Sequence, residues 1–159
     1  MTSTLVTRAL EALGIPFRLH ESGAPIHSLE QAARERGLQP GQVVRSLVFR
    51  TETGAFVMLL IPGSGRASWA RLRQALGVSR LTTATPEELL RVTGYEPGAV
   101  SPFGLPRPLS ILADRGLLEQ ETISIGAGIR NAGVVLRSAD LLRALAPELG
   151  DFREASPIS

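Results

Sequence analysis

A chain of 159 residues, 43% hydrophobic and only 4% aromatic, has the length of one domain, taken as 1–159, with a core of Leu, Val, Ile and Ala. It contains no cysteine, which excludes disulfides, thiolate metal sites and a cysteine nucleophile. All 17 basic residues are arginine, so a Walker A loop and a Schiff-base lysine are excluded too, while a net charge of +2 argues only weakly for nucleic acid.

In chain order, Leu5, Ala9, Leu10 and Leu13 fall at helical spacing and Gly14 ends that helix. Arg8 and Glu11 interrupt any apolar run there, so the N-terminus is not read as a signal peptide. Phe17 to His20 follows as a short strand, and Ser28 with Gln31 forms a capping box for a helix to about Arg36, stopped by Gly37. Two β-rich runs, Val43 to Phe49 and Ala55 to Ile61, read as a central hairpin turning through Thr51-Glu52-Thr53-Gly54. The second is the longest apolar run and is far short of the ~20 residues a membrane helix needs. Ser68 caps a helix through Leu76, and Thr85-Pro86-Glu87-Glu88 opens another that ends near Gly94.

Tyr95 to Pro108, with two glycines and four prolines, is a structured loop. Leu109 to Leu112, Thr122 to Ile125 and Val134 to Leu136 read as strands, Gly126 to Gly133 as a glycine-rich loop and Ser138 to about Leu145 as the last helix, with a frayed tail after Pro147. The interleaving predicts a mixed sheet flanked by helices, because the hairpin rules out a purely parallel one.

Gly126-Ala127-Gly128-Ile129-Arg130-Asn131 begins like a dinucleotide fingerprint, but Asn131 stands where the third glycine belongs and a strand follows instead of a helix. Its glycines can aim N–H groups at an anionic oxygen, or simply make a tight turn. No Gly-x-Ser-x-Gly occurs, and His20 and His27 lack metal-ligand partners at useful spacing, so neither a serine hydrolase nor a metal site is expected. Arg66, Trp69 and Arg73 share one helical face, where they can meet phosphate and base or, alternatively, anchor a core edge beside solvated arginines.

The stretch Gly94-Tyr95-Glu96-Pro97-Gly98-Ala99-Val100-Ser101-Pro102-Phe103-Gly104 carries the pattern Gly-x-x-x-Gly-x-x-Ser-Pro-x-Gly. In this it resembles the YbaK/ProX family of aminoacyl-tRNA deacylases, related to the editing domain of prolyl-tRNA synthetases, and the order of elements is similar over nearly the whole chain. The resemblance implies a largely antiparallel sheet or partly closed barrel flanked by helices. It also implies hydrolysis of the ester on a mischarged tRNA in trans, chiefly alanyl- or cysteinyl-tRNA(Pro), with serine or threonine esters in some members. The partners implied are mischarged proline tRNA and, for some members, prolyl-tRNA synthetase, in the cytoplasm, with no cofactor and no membrane.

Where the family has a lysine early in its first core strand, this chain has Arg45, followed by Ser46. Arginine keeps the charge and a planar fork of donors but cannot act as a base. The resulting assignment places Arg45, Gly98, Ser101, Gly126 and Gly128 at the catalytic centre and Ser46, Ala99, Val100, Pro102, Ala127 and Asn131 around the substrate. An aminoacyl ester is already activated, so positioned water and a stabilised oxyanion suffice, and the resemblance implies help from the substrate's ribose hydroxyl. The alternatives are a non-catalytic module that holds the aminoacyl-adenosine end, Arg45 having replaced an essential lysine, and a general small-ester hydrolase.

Overall fold

A computed structural model describes residues 2–155. Its five α-helices are each bounded by the chemistry of their ends. They are α1 (Leu5–Ala12), α2 (Leu29–Arg36), α3 (Trp69–Leu76), α4 (Pro86–Thr93) and α5 (Ser138–Leu145). Thr4, Ser28, Ser68 and Thr85 cap the first four by accepting from a backbone N–H one turn in, and Gly37, Gly77 and Gly94 close three of them in the left-handed region. Gln31 departs from the expected capping box, because its carboxamide accepts from the N–H of His27 at 2.9 Å instead of from Ser28.

The strands form two sheets where one was expected. The smaller is antiparallel and joins β1 (Phe17–Glu21), β7 (Ala132–Arg137) and β6 (Thr122–Gly126) in that order. The larger runs β4 (Leu81–Thr83), β2 (Val44–Thr51), β3 (Phe56–Pro62), β5 (Ser110–Asp114), β8 (Glu148–Gly150). The hairpin β2–β3 is central to it, as the sequence predicts, while β5 and β8 add in parallel. The two sheets approach at a single bridge between Val43 and Ser124 and do not close into a barrel.

Side-chain alternation along the hairpin separates two cores. Val44, Val48, Met58 and Leu60 face the first, with Val6, Leu10, Tyr95, Ile123, Ile125 and Leu141; Phe49, Val57, Leu59 and Ile61 face the second, under α3, with Leu72, Leu112 and Phe152. The second core explains why the described part of the tail is ordered and not frayed. Phe152 is buried in it, its N–H donates to Asp114 Oδ1 at 2.8 Å, and Arg153 pairs with Asp114 Oδ2 at 2.9 Å. Met1 and residues 156–159, part of the expected domain and tail, lie outside the described residues. No helix among the described residues is long and apolar enough to cross a membrane.

Candidate functional site

A large cavity lies where β2 changes neighbours. At its start β2 approaches β6 through Val43, and at its end Phe49, Arg50 and Thr51 pair with β4. The carbonyl of Val48 accepts from the N–H of Ala84 on that side, and strand alternation aims the N–H and C=O of Ser46 the same way, where no strand pairs. This gap is the mouth of a cavity of about 1360 Å³, walled by α2, β2, the β6–β7 turn and the loop after α4.

Of the residues assigned from sequence, Arg45, Ser46, Gly98, Val100, Gly126 and Asn131 line this cavity, drawn together from distant segments. Ala99, Ser101, Pro102 and Ala127 are buried, and with Gly128 they lie behind the lining. Ser101 is fully buried and its hydroxyl accepts from the N–H of Phe103 at 3.2 Å, which shapes the loop. Gly128, in the left-handed region, donates its N–H to the carbonyl of Ala99 at 3.0 Å, so that it ties one loop to the other.

The loop from Gly94 to Gly104 is held firmly. Tyr95 donates its hydroxyl to the carbonyl of Phe103 at 2.5 Å, and burial pushes the phenol up to about 12. A methyl on Gly126 would lie 2.0 Å from the carbonyl oxygen of Val100, so only glycine lets the loop cross the sheet this closely. Among the described residues, the N–H groups of Gly98 and Val100 make no hydrogen bond, which leaves two backbone donors at the cavity wall.

Arg45 and Ser46 lie on opposite faces of β2, and the open strand edge lets both reach the cavity. The guanidinium of Arg45 is half-buried and engaged: Nε donates to the carbonyl of Gly63 at 2.8 Å and Nη2 to that of Gly65. Burial lowers its affinity for the proton, and no carboxylate pairs with it among the described residues. Ser46 Oγ is buried without any hydrogen-bond partner.

Sequence reasoning missed Arg36. It ends α2, is 8% exposed, lines the cavity, and donates Nη1 to Ser124 Oγ at 2.9 Å while Nε finds no acceptor. A signal was present in Gly133, a glycine within an apolar strand, which marks close approach; a Cβ there would lie 2.2 Å from Arg36 Cζ. Arg66 precedes α3 instead of sharing its face, while Trp69 packs edge-on against Phe49 with ring centroids 5.0 Å apart. Arginines 36, 45, 66 and 130 and one acid, Glu154, line the cavity, which favours an anionic ligand.

The model of the aminoacyl-tRNA editing domain matches residues 23–144. The chain belongs to that family. The editing-domain relatives include the multifunctional Ser/Thr-tRNA deacylase ProXp-y of Escherichia coli K12, 30% identical over 149 residues, covering 90% of this chain and 87% of that protein. A proline–tRNA ligase of Trichlorobacter lovleyi is 33% identical over 100 residues, 63% of this chain but only 17% of the ligase. A crystal structure described as a candidate trans-editing enzyme for prolyl-tRNA synthetase superposes with a TM-score of 0.88 at 30% identity, covering 98% of this chain and all of the other. The mixed α+β architecture is thus that of the YbaK/ProX-like editing domains.

Proposed function

We propose that this editing domain hydrolyses the ester linking a small, wrongly attached amino acid to tRNA, acting in trans, with alanyl- or cysteinyl-tRNA(Pro) as the substrate. One observation carries the reading. The two buried side-chain polar atoms without partners among the described residues, Arg36 Nε and Ser46 Oγ, both belong to residues lining the cavity beside the Gly94–Gly104 loop. Buried polar groups are nearly always satisfied, so the two point to a ligand that brings oxygen acceptors into the cavity.

With the free N–H groups of Gly98 and Val100, the wall is rich in donors, while its hydroxyls are not activated: Ser101 is buried and engaged, and Ser46 Oγ has no base bonded to it among the described residues. That composition suits attack by water on an activated ester, with the donors stabilising the developing negative oxygen. The cavity also exceeds the roughly 300–1,000 Å³ usual for a free small molecule, which favours the end of a polymer over a free small ester. Family resemblance adds the neighbouring ribose hydroxyl as the group that orients the water, prolyl-tRNA synthetase as a partner, and the cytoplasm as the setting.

The name of the E. coli relative favours a second reading, in which seryl- and threonyl-tRNA are the substrates. A buried, partnerless Ser46 hydroxyl also fits a substrate that carries a hydroxyl of its own. The test is a deacylation panel of alanyl-, cysteinyl-, seryl-, threonyl- and prolyl-tRNA with the purified protein. Release of alanine or cysteine from tRNA(Pro), with prolyl-tRNA spared, is expected. Turnover of the serine and threonine esters alone would select the second reading, and turnover of none would leave a binding module.

A further inference from the structure

Arg36 is a buried cation without a carboxylate. Among the described residues no acid pairs with it, and its neighbour Glu35 turns instead to Ser22 at 2.7 Å and Gln31 at 3.1 Å. β1 meets the end of α2 through another cation, Arg18, whose Nη2 donates to the Arg36 carbonyl at 3.0 Å, while His20 of the same strand acts on Glu35. The C-terminus of α2 favours a positive charge at this position, and Ser124 accepts one of its protons. These compensate only in part, because Nε remains without an acceptor. A buried charge in that condition is costly unless something else occupies its donors.

The register of the small sheet fixes what lies beside it. Gly126 of β6 pairs directly with Gly133 of β7, so the space above both is on one face of the sheet. Above Gly133 lies the guanidinium of Arg36, and above Gly126 lies the carbonyl of Val100. Cross-strand pairs are about 4.5–5.5 Å apart. The buried cation therefore lies about one strand spacing from the Gly98–Ser101 loop, whose Gly98 and Val100 line the same cavity and keep unbonded N–H groups among the described residues.

We propose that Arg36 is the cationic member of the oxyanion site, holding the ester carbonyl oxygen together with the loop N–H groups. The inference rests on the deacylase reading above. Water attacks the carbonyl carbon, a C–O bond forms, and the π pair moves onto the carbonyl oxygen, where the guanidinium stabilises it. The pair then returns, the bond to the ribose oxygen breaks, and that oxygen takes the proton lost by the water. Free amino acid and tRNA result, with no other reactant. Arg45, turned to the carbonyls of Gly63 and Gly65, shapes the cavity mouth instead.

The test compares wild type, Arg36→Met, Arg36→Lys and Ser124→Ala on the alanyl-, cysteinyl-, seryl- and threonyl-tRNA panel, with thermal melts of each. Arg36→Met is expected to lower kcat by about 100-fold, the typical effect of losing one oxyanion donor, with KM little changed and melting no lower than wild type. Arg36→Lys is expected to keep part of the activity at low pH and to lose it relative to wild type as pH rises, because a buried ammonium loses its proton where a guanidinium does not. Ser124→Ala, which only frees Nη1, is expected to show a smaller loss. A folded Arg36→Met with wild-type kcat overturns the proposal, as does a loss that follows lowered melting while Arg36→Lys keeps the wild-type pH profile. A silent wild type instead sinks the deacylase reading itself, and this proposal with it.

Discussion

Replacing Gly126 with alanine tests whether the position of the Gly94–Gly104 loop governs catalysis. The added methyl would stand 2.0 Å from the Val100 oxygen and 2.9 Å from its carbon, and Cβ contacts under 3.0 Å are essentially never seen. At least about 1 Å of movement is therefore required, and the obstacle is backbone. The loop cannot yield freely, since Ala99 accepts from Gly128 and donates to Glu96, each at 3.0 Å, and Tyr95 holds Phe103. Overpacking of this kind costs about 1–3 kcal/mol, or roughly 2–4 °C of melting temperature per kcal/mol at this size. A displacement near 1 Å at donors that must meet a reacting oxygen costs on the order of 100-fold in rate. Single-turnover deacylation with a thermal melt measures both. Gly41→Ala is the control, because its nearest neighbour would be Gln120 Nε2 at an ordinary 3.5 Å. If Gly126→Ala deacylates at the wild-type rate, the loop does not position the reacting oxygen.

Two further outcomes follow from particular contacts. Arg45→Ala is expected to destabilise the protein by on the order of 1–3 kcal/mol, through loss of two charge-assisted bonds to the Gly63 and Gly65 carbonyls, and to reduce turnover. Arg45→Lys should recover only part of both, because one ammonium cannot reproduce the fork; parallel melts and turnover of the two variants decide this. Tyr95 is the only tyrosine, so tyrosinate absorbance follows it alone. The native protein should remain un-ionised near pH 10 and ionise only towards about 12, whereas denatured protein titrates near the ordinary value of 10.0. Its raised pKa means that burial favours the neutral phenol. The associated stability is complete below the unfolded value and lost as pH climbs towards 12, and a native titration at the unfolded midpoint would contradict this.

Much of the local structure was legible because it is decided locally. Thr85-Pro86 with Glu88 starts a helix, and Gly37, Gly77 and Gly94 end three, from the preferences of a few adjacent dihedrals. Six of the assigned residues reach one cavity because the Gly94–Gly104 pattern, the start of the first core strand and the Gly126–Gly133 loop are all readable motifs. What stayed hidden depends on partners far along the chain. Arg36 reads as the surface end of a polar helix until Gly133, in another strand, makes room for its side chain. The engagement of Arg45 depends on where the Gly63–Gly65 turn folds back, and the splitting of one expected sheet into two depends on β2 parting from β6. The order of the tail rests on Asp114 of β5, which accepts the N–H of Phe152 just beyond the neighbouring β8.

The small sheet joins chain segments that emerge far apart during synthesis. β1 aligns Phe17 with Leu136 and Glu21 with Ala132, and its neighbour in the sheet is β7. A nascent chain can therefore build α1 and the central hairpin early, while β1 must wait, extended and unpaired, until β7 has left the ribosome. Such long-range closure slows folding, and the floor beneath Arg36 cannot assemble before β7 is available. Truncated products that stop before residue 132 would lack that floor altogether, so incomplete chains would carry the readable loop motif without the site it serves.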